Sequence, residues 1–249
     1  CRHHPIPRSP RARMLSIPLP YPADGADLFE RIADEPWAMF LDSAGTGGAL
    51  GRYDILVARP RATLIEQAGV TTLWQAGKTP HAPPRQTTSL DDPLDLLRAT
   101  LGLQSRDTTC AAPFAGGAVG YFAYELGQRL MSLPNPPTQC LPADPLPRMA
   151  VGLYDWAVVI DHATRTCYLQ SDRPSFTDDA SRQSLVDLFT HPQPTRPART
   201  YHSHGAVENG MPYAAYLRAH AKLKRYIRAG DCYQANLTQP FGVRVTGDP

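Results

Sequence analysis

The chain has 249 residues, of which 42% are apolar and 19% charged, and its net charge is +2. This composition indicates a globular protein rather than a disordered one, and it lacks the dense basic patch typical of proteins that bind nucleic acids. No run of about 18 apolar residues occurs, so no membrane-spanning helix is expected. The five cysteines form no C-x-x-C pair and the histidine pairs have no companion ligands. This favours reduced thiols, a cytoplasmic location and no metal site in this chain.

The first half of the chain is predicted to contain a helix followed by short strands. Residues 1–13 are rich in Pro and Arg and are expected to be a disordered extension without function. Helical spacing of apolar residues predicts a helix over residues 24–34. Apolar runs predict strands over residues 37–44, on both sides of Arg59-Pro60 and in "VTTLWQAG". We expect a loop in "TPHAPPRQTTSLDDP" and a helix in "PLDLLRATLGL", whose leucines lie on one side.

The second half is predicted to contain a hairpin, a helix and a linker. Alternation predicts a strand over residues 151–160, a turn at 161–165 and a strand over 166–170. The run "DDASRQSLVDLF" predicts an amphipathic helix whose first turn is acidic, as the helix dipole favours. Residues 191–212 are polar and contain prolines, which is typical of a linker. The mixture of antiparallel strands and helices without regular βαβ alternation predicts an α+β fold.

A glycine-rich segment, "PFAGGAVGYFAYELGQRL", lies in the middle of the chain. It does not match the G-x-G-x-x-G pattern of dinucleotide-binding loops, because Ala115 stands at the first glycine position, and no Walker lysine follows. Close backbone packing, with aromatic side chains filling the space that the glycines leave, is the interpretation that we favour.

Two polar groups stand at the ends of consecutive strands in "FLDSAGTGGALGRYD". The hydroxyl of Ser43 and the guanidinium of Arg52 could together hold a small carboxylate or an amino acid. The alternative is an ordinary polar turn with a solvated arginine.

The segment "YIRAGDCYQANLTQPFGVRV" predicts a helix, a glycine stop and a strand. The helix has one apolar stripe and ends at Gly230, which suits the position after a helix C-terminus. In the strand, alternation places Gln234, Asn236 and Thr238 on the face opposite to the apolar residues. This polar face is equally consistent with a ligand-binding wall and with a solvent-facing wall. The apolar stripe is formed by Tyr216, His220, Leu223 and Ile227.

Five ordered motifs resemble one enzyme family. "PWAMFLDSA", "GRYDILVARP", "GGAVGYFAYELGQRL", "MAVGLYDWAVVIDH" and "IRAGDCYQANLTQPF" are similar to component I of aminodeoxychorismate synthases. The resemblance implies an α+β fold like that of anthranilate synthase component I, truncated in this chain. Residues 14–190 would form the N-terminal domain, and residues 213–249 would begin an incomplete chorismate-binding domain.

The family's activity is the amination of chorismate to 4-amino-4-deoxychorismate, on the path to 4-aminobenzoate and folate. The resemblance implies a glutamine amidotransferase partner that supplies ammonia, and Mg²⁺ that binds chorismate. The resemblance implies that the family's catalytic lysine and acidic residues would lie beyond this sequence, so no catalytic residue is assigned and the fragment alone is expected to be inactive. Gln234, Asn236 and Thr238 are candidates for lining the substrate side. Anthranilate synthase component I is the nearest alternative.

Members of the family also bind tryptophan beside their first strands. The resemblance places this pocket at Ser43, Leu50, Gly51, Arg52 and Tyr53, although Leu50-Gly51 departs from the more polar pair often found there. A third hypothesis, from another class, is a free-standing regulatory module that binds tryptophan.

Overall fold

The computed structural model describes residues 15–44, 51–77, 82–102, 113–131, 146–171, 179–191 and 200–247. The chain divides into two compact units, residues 1–193 and residues 194–249. No helix within these described ranges is long and apolar enough to cross a membrane. The predicted extension at residues 1–13 lies outside the described residues.

The first unit contains two five-stranded sheets in which all paired strands are antiparallel. The first sheet has the order β1-β10-β9-β3-β2, with the strands β1 (Leu15–Leu19), β2 (Met39–Leu41), β3 (Tyr53–Val57), β9 (Ala157–Asp161) and β10 (Thr166–Ser171). The second has the order β6-β5-β4-β8-β7, with the strands β4 (Ala62–Gln67), β5 (Val70–Gln75), β6 (Arg85–Ser89), β7 (Gly117–Phe122) and β8 (Met149–Tyr154).

Three buried clusters hold these sheets and their helices together. One packs α1 (Gly25–Phe29) and α4 (Asp179–Thr190) on one face of the first sheet, around Leu56 and Ile160. Another packs α2 (Pro93–Leu101) and α3 (Leu126–Leu130) on the second sheet. The remaining cluster joins residues of both sheets, such as Val159 and Tyr154. The predicted α+β architecture of antiparallel sheets packed with helices is therefore confirmed.

Aspartate side chains cap the first two helices. Asp24 accepts a hydrogen bond from the Ala26 backbone at 2.9 Å, at the start of α1. Asp92 accepts from the backbone of Leu94 at 2.8 Å and of Asp95 at 3.2 Å, at the start of α2. Such caps satisfy backbone N–H groups that have no partner inside the helix. The predicted leucine side of α2, Leu94, Leu97 and Leu101, packs on the second sheet.

The predicted single strand over residues 151–160 is wrong, because this segment is two strands in two different sheets. β8 ends at Tyr154 and β9 begins at Ala157, so the chain crosses between the sheets at residues 155–156. Both strands are buried on both faces, and only Asp155 interrupts the apolar residues between Met149 and Ile160. A strand that is apolar on both faces carries no alternation, so its break is invisible to periodicity.

The predicted loop that contains residues 85–89 is also wrong there, because these residues form the edge strand β6. β6 pairs with β5 from Thr71 opposite Ser89 to Gln75 opposite Arg85. Its sequence, RQTTS, is polar on both faces. Backbone hydrogen bonds to β5 hold such a strand, and they leave no hydrophobic pattern in the sequence.

Glycine packing in the "GGAVGYF" strand is confirmed at Gly120, where an added Cβ would lie 2.1 Å from the carbonyl oxygen of Ala150. The neighbouring strand β8 therefore approaches the backbone more closely than any larger residue allows. The aromatic part of that interpretation is wrong. Tyr121, Phe122 and Tyr124 are exposed rather than packed into the space beside the glycines.

The second unit consists of β11 (Tyr201–Asn209), α5 (Tyr213–Ala229) and β12 (Phe241–Gly247). β11 lies within the predicted linker at 191–212, so that prediction is wrong for residues 201–209. β11 and β12 pair antiparallel, with a bulge between His204 and Glu208. α5 ends as predicted, at Gly230 in the left-handed conformation with φ 81°.

The predicted strand after Gly230 begins later than expected. Residues 231–240 are irregular, and β12 starts only at Phe241. β11 ends at Asn209, which lies opposite Phe241, and the chain then enters α5. Residues before Phe241 therefore have no β11 residue opposite them. Pro240 also lacks the N–H that a strand would use.

Candidate functional site

A cluster of polar side chains surrounds the buried carboxylate of Asp54, which is only 4% exposed. One oxygen, Oδ1, accepts hydrogen bonds from the Ser43 backbone at 2.9 Å and from the Ser43 hydroxyl at 2.8 Å. The other, Oδ2, lies 2.8 Å from Nε2 of His162. The Tyr21 hydroxyl lies 3.0 Å from Nδ1 of the same imidazole. These four side chains, Ser43, Asp54, His162 and Tyr21, are called the Asp54 cluster below.

The topology of the first sheet brings the Asp54 cluster together. β2 and β3 pair with Leu41 opposite Ile55, so Ser43, which lies just beyond the end of β2, comes beside Asp54. On the other side of β3, Asp54 lies opposite Ile160, and His162 follows at the end of β9. Three separate chain segments therefore meet at one end of the sheet, and the segment after β1 adds Tyr21.

The Asp54 carboxylate remains ionised in this environment. Burial alone would raise its pKa, but the hydrogen bonds from the Ser43 backbone and hydroxyl and from His162 outweigh burial and lower the pKa below its usual value. Hydrogen bonds to the charged form stabilise that form. An ionised carboxylate only accepts hydrogen bonds, so Asp54 determines the direction of each bond around it.

Arg52 lies two residues before Asp54 and forms a bidentate pair with Asp161. Its Nε and Nη2 atoms donate to the two carboxylate oxygens at 3.0 and 2.8 Å. The hydrogen bonds from Arg52 lower the pKa of Asp161 to about 2. The guanidinium also lies over the ring of Tyr53, 4.7 Å from its centroid, and the Arg52 side chain is 42% exposed. Its Nη1 atom takes no part in the pair with Asp161, so this half of the guanidinium can contact an anion.

The residues predicted for the tryptophan pocket do not all lie together. Ser43 is held in the Asp54 cluster. Arg52 reaches that cluster through its backbone, whose carbonyl accepts from the His162 N–H at 2.9 Å, whereas its guanidinium lies against Asp161 and the ring of Tyr53. Gly51 is buried, whereas Tyr53 packs against the cluster that joins the two sheets, on the other face of β3. Leu50 lies outside the described residues.

Asp54, His162, Tyr21 and Asp161 were not among the site residues predicted from the sequence. A signal was present in "YDILV" and in "VVID", because an acidic residue within a buried strand is unusual unless it has partners. The pairing of the strands, which places Asp54 next to the end of β9, was not readable from the sequence.

The Asp54 cluster contains serine, histidine and aspartate but is not arranged as a catalytic triad. In a triad, the serine hydroxyl donates to histidine and the aspartate holds the opposite side of the imidazole. Here the Ser43 hydroxyl donates directly to Asp54. The histidine therefore cannot take the serine proton, and the geometry suits binding rather than nucleophilic catalysis.

The second unit contains a groove of about 520 Å³ between α5 and the irregular segment that follows it. The predicted stripe of α5 lines this groove, which confirms that its members share one helix face. Asn236 and Thr238 line it too, but so do Ala235 and Leu237, so the predicted separation of polar and apolar faces is wrong here. Gln234 is exposed and is not among the lining residues. His220 and Lys224 add an imidazole and an ammonium group to the wall.

No metal-binding group was found in the part of the chain that the structure describes. In those residues, no set of three or more His, Cys, Asp or Glu side chains is close enough to hold a metal ion. The two cysteines described, Cys167 and Cys232, are free thiols. Burial raises the pKa of Cys167 to about 12, so this thiol stays protonated and unreactive.

Comparison with known proteins identifies the family and the fold. The family model of chorismate binding enzymes matches residues 41–249. Component 1 of aminodeoxychorismate synthase from Klebsiella aerogenes is 36% identical over 236 residues, covering 93% of this chain and 48% of that protein. The protein of the same name from Escherichia coli (strain K12) is 34% identical over 235 residues, with the same two coverages of 93% and 48%.

The fold is shared with a solved structure, anthranilate synthase component I from Streptococcus pneumoniae TIGR4. The TM-score is 0.53 at 19% identity, over 80% of this chain and 43% of that one. This confirms the predicted fold resemblance. The chain spans about half the length of the curated relatives that it matches, 48% in each case. The match of the family model over most of the sequence, together with these two relatives, shows that the chain belongs to the family of chorismate binding enzymes.

Proposed function

We propose that this chain is part of component I of an aminodeoxychorismate synthase, which aminates chorismate to 4-amino-4-deoxychorismate for 4-aminobenzoate and folate synthesis. The observation that carries the proposal is the identity of 36% and 34% to two proteins of that name across 93% of the chain. The five ordered motifs, from "PWAMFLDSA" to "IRAGDCYQANLTQPF", support the same assignment. A glutamine amidotransferase subunit would supply the ammonia.

The groove of the second unit is proposed to contribute to the chorismate side of the enzyme. Asn236 and Thr238 offer polar contacts there, and Lys224 offers a positive charge to a carboxylate. Mg²⁺, which would help to expel the hydroxyl group of chorismate, is assigned no ligand among residues 1–249. The described residues contain no suitable group of ligands. No catalytic residue is assigned in this chain either.

An assay with chorismate, ammonia and Mg²⁺ tests this proposal. The whole protein is expected to form 4-amino-4-deoxychorismate, and residues 14–249 alone are expected to form no product. Release of anthranilate by the whole protein would instead identify it as an anthranilate synthase. Product formation by residues 14–249 alone would contradict the assignment of the catalytic groups to a region outside this chain.

We further propose that the Asp54 cluster and Arg52 form one side of a tryptophan site. The Ser43 hydroxyl donates its hydrogen bond to Asp54, so its oxygen offers only lone pairs to a ligand. A lone pair beside an ionised carboxylate suits an ammonium group. The Nη1 atom of Arg52 suits a carboxylate. An amino acid carries both groups, and the remaining wall of the pocket would come from outside this chain.

Calorimetry on the whole protein tests the tryptophan site. Saturable heat is expected with tryptophan, and it should be lost in Ser43→Ala and in Arg52→Gln. If the wild type gives no heat, the site does not bind tryptophan. A free-standing regulatory module remains the alternative of another class. It predicts full affinity for tryptophan in the 249-residue chain and no turnover of chorismate by the whole protein.

A further inference from the structure

The Asp54 cluster is a linear series of hydrogen bonds whose donors all point toward the carboxylate. Asp54 is ionised and can only accept hydrogen bonds. Nε2 of His162 must therefore carry a proton and donate a hydrogen bond to Oδ2. With the ring proton on Nε2, the lone pair of Nδ1 can accept from the Tyr21 hydroxyl, which lies 3.0 Å away. At the other end, the Ser43 hydroxyl donates to Oδ1. The carboxylate thereby determines the orientation of hydroxyl groups on two distant chain segments.

Tyr21, at one end of this series of hydrogen bonds, is held in place by packing. The rings of Tyr21 and His162 meet edge to face, with centroids 6.2 Å apart and planes at 87°. On Tyr21, the guanidinium carbon of Arg165, in the turn between β9 and β10, lies 4.8 Å from the ring centroid. Edge-to-face and cation–π contacts of this kind restrain a ring in both position and tilt. The imidazole is therefore held in the orientation that directs Nε2 toward Asp54.

The carboxylate has little freedom to change its partners. Asp54 is 4% exposed, and the backbone of Gly25 in α1 lies so close that an added Cβ would be 2.9 Å from Oδ2. A buried acceptor that loses its donor keeps the full cost of desolvation. Without the bond from His162, Asp54 would therefore rotate or take up a proton. In either case, the Ser43 hydroxyl would no longer be committed to Oδ1.

We infer that His162 and Tyr21 are positioning residues of the amino-acid site, which orient Ser43 through Asp54 so that its oxygen faces a ligand as an acceptor. This inference rests on the proposed tryptophan site. Neither residue needs to touch the ligand. Both act by keeping the Ser43 O–H directed at Asp54, which leaves the lone pairs of Oγ for the ammonium group of the ligand.

Variants of His162 in the whole protein test the inference by calorimetry with tryptophan. His162→Leu removes the donor to Asp54 and is expected to raise the Kd for tryptophan by about tenfold or more. His162→Gln keeps an N–H donor of similar reach and should restore the Kd to within about threefold of the wild type. Arg59→Gln is the matched control. It removes the ion pair with Glu35, elsewhere in the first unit, and should leave the Kd unchanged.

A second variant and a spectroscopic measurement keep the test independent of folding defects. Tyr21→Phe keeps the ring but removes the donor to Nδ1, and it should raise the Kd for tryptophan by about threefold. Nitrogen-15 spectra of the His162 ring should show only the Nε2–H tautomer in the wild type and a mixture of tautomers in Tyr21→Phe. These spectra need no ligand, so they test the hydrogen-bond chain even if tryptophan does not bind.

The outcomes separate the two proposals. No tryptophan binding by the wild type would overturn the amino-acid site, and the inference with it. Equal tryptophan affinity of the wild type, His162→Leu and Tyr21→Phe would overturn the inference alone. An Nδ1–H tautomer in the wild type would also overturn it, because Nε2 of His162 could then not donate to Asp54. Weaker binding in His162→Leu with recovery in His162→Gln would support it.

Discussion

The Asp54 carboxylate lies in an apolar strand, almost inaccessible to solvent, yet its pKa is lowered rather than raised. Ser43 and His162 provide the hydrogen bonds that keep it charged. A buried charge is tolerated in a protein only with such partners, and the loss of any partner is costly. At the residue scale, the stability of this end of the first sheet therefore depends on a few polar contacts.

Asp54→Asn is expected to destabilise the fold by about 1–3 kcal/mol, because an amide cannot accept hydrogen bonds on both sides as the carboxylate does. The free energy of unfolding from urea titrations measures this effect. Asp95→Asn is the matched control, because Asp95 belongs to an exposed i,i+3 pair with Arg98 on α2. An exposed pair of this kind contributes less than about 1 kcal/mol. Equal losses in the two variants would contradict the assigned role of Asp54.

Acid should destabilise the fold through Asp54 and Asp161, since the pKa of each is lowered in the folded state. The contribution of each is present above the unfolded pKa of about 3.9 and is lost as the pH falls through its folded pKa. For Asp161, whose folded pKa is about 2, this loss extends over roughly pH 5 to 2. The Tm of the wild type should therefore fall across this range. In Asp161→Asn, the fall should be shallower. An identical dependence of Tm on pH in both proteins would show that Asp161 is not responsible.

The N-terminal end of α1 packs directly on the Asp54 cluster, and this contact lies at the scale of the element. An added Cβ at Gly25 would lie 2.9 Å from Asp54 Oδ2 and 3.0 Å from Cζ of Phe40. An unrestrained side chain could move away from the added Cβ, but Oδ2 of Asp54 is held by its hydrogen bond to His162. The helix and the strand are therefore fitted to each other at a position where only glycine leaves enough room.

Gly25→Ala is expected to destabilise the protein by about 1–3 kcal/mol, because overpacking outweighs the better helix propensity of alanine. Thermal unfolding measures the change. Gly127→Ala, in α3, is the control, because an added Cβ there meets nothing within 4 Å. That variant should be neutral or more stable by up to about 1 kcal/mol. A stabilising effect at Gly25 would contradict the close contact with Asp54.

At the scale of the whole molecule, the two units differ in how much they bury. The first unit contains all three buried clusters. In the second unit, every residue of β11 and β12 is exposed, and α5 has no buried residue. Large apolar side chains in this unit, among them Tyr213, Phe241 and Val243, are also exposed. Little apolar surface therefore stabilises the second unit within this chain.

Hydrogen exchange of the 249-residue chain should reveal this difference. Amides of β11 and β12 are expected to exchange much faster than those of β9, which is almost fully buried, because few buried contacts oppose local opening of the hairpin. Both sets of amides are measured in one sample, so the comparison is internal. Equal protection of the two units would contradict the low stability of the second.

The sequence by itself determined the class of the fold, most helices and the family. The leucine spacing of α2 and Gly230 after α5 are local signals, and the structure follows them. Ser43 and Arg52 were also identified as candidate site residues from their place at the ends of strands. These signals lie within one turn of helix or one strand end, so short stretches of sequence contain them completely.

Only the tertiary structure decided which distant residues surround Asp54. Tyr21 and His162 are 141 residues apart, and their contact depends on the order β1-β10-β9-β3 in the first sheet. The break between β8 and β9 and the pairing of the polar strand β6 were likewise decided by neighbouring strands. Strand pairing is a long-range interaction between backbones, and the side chains of one strand do not specify which strand lies beside it.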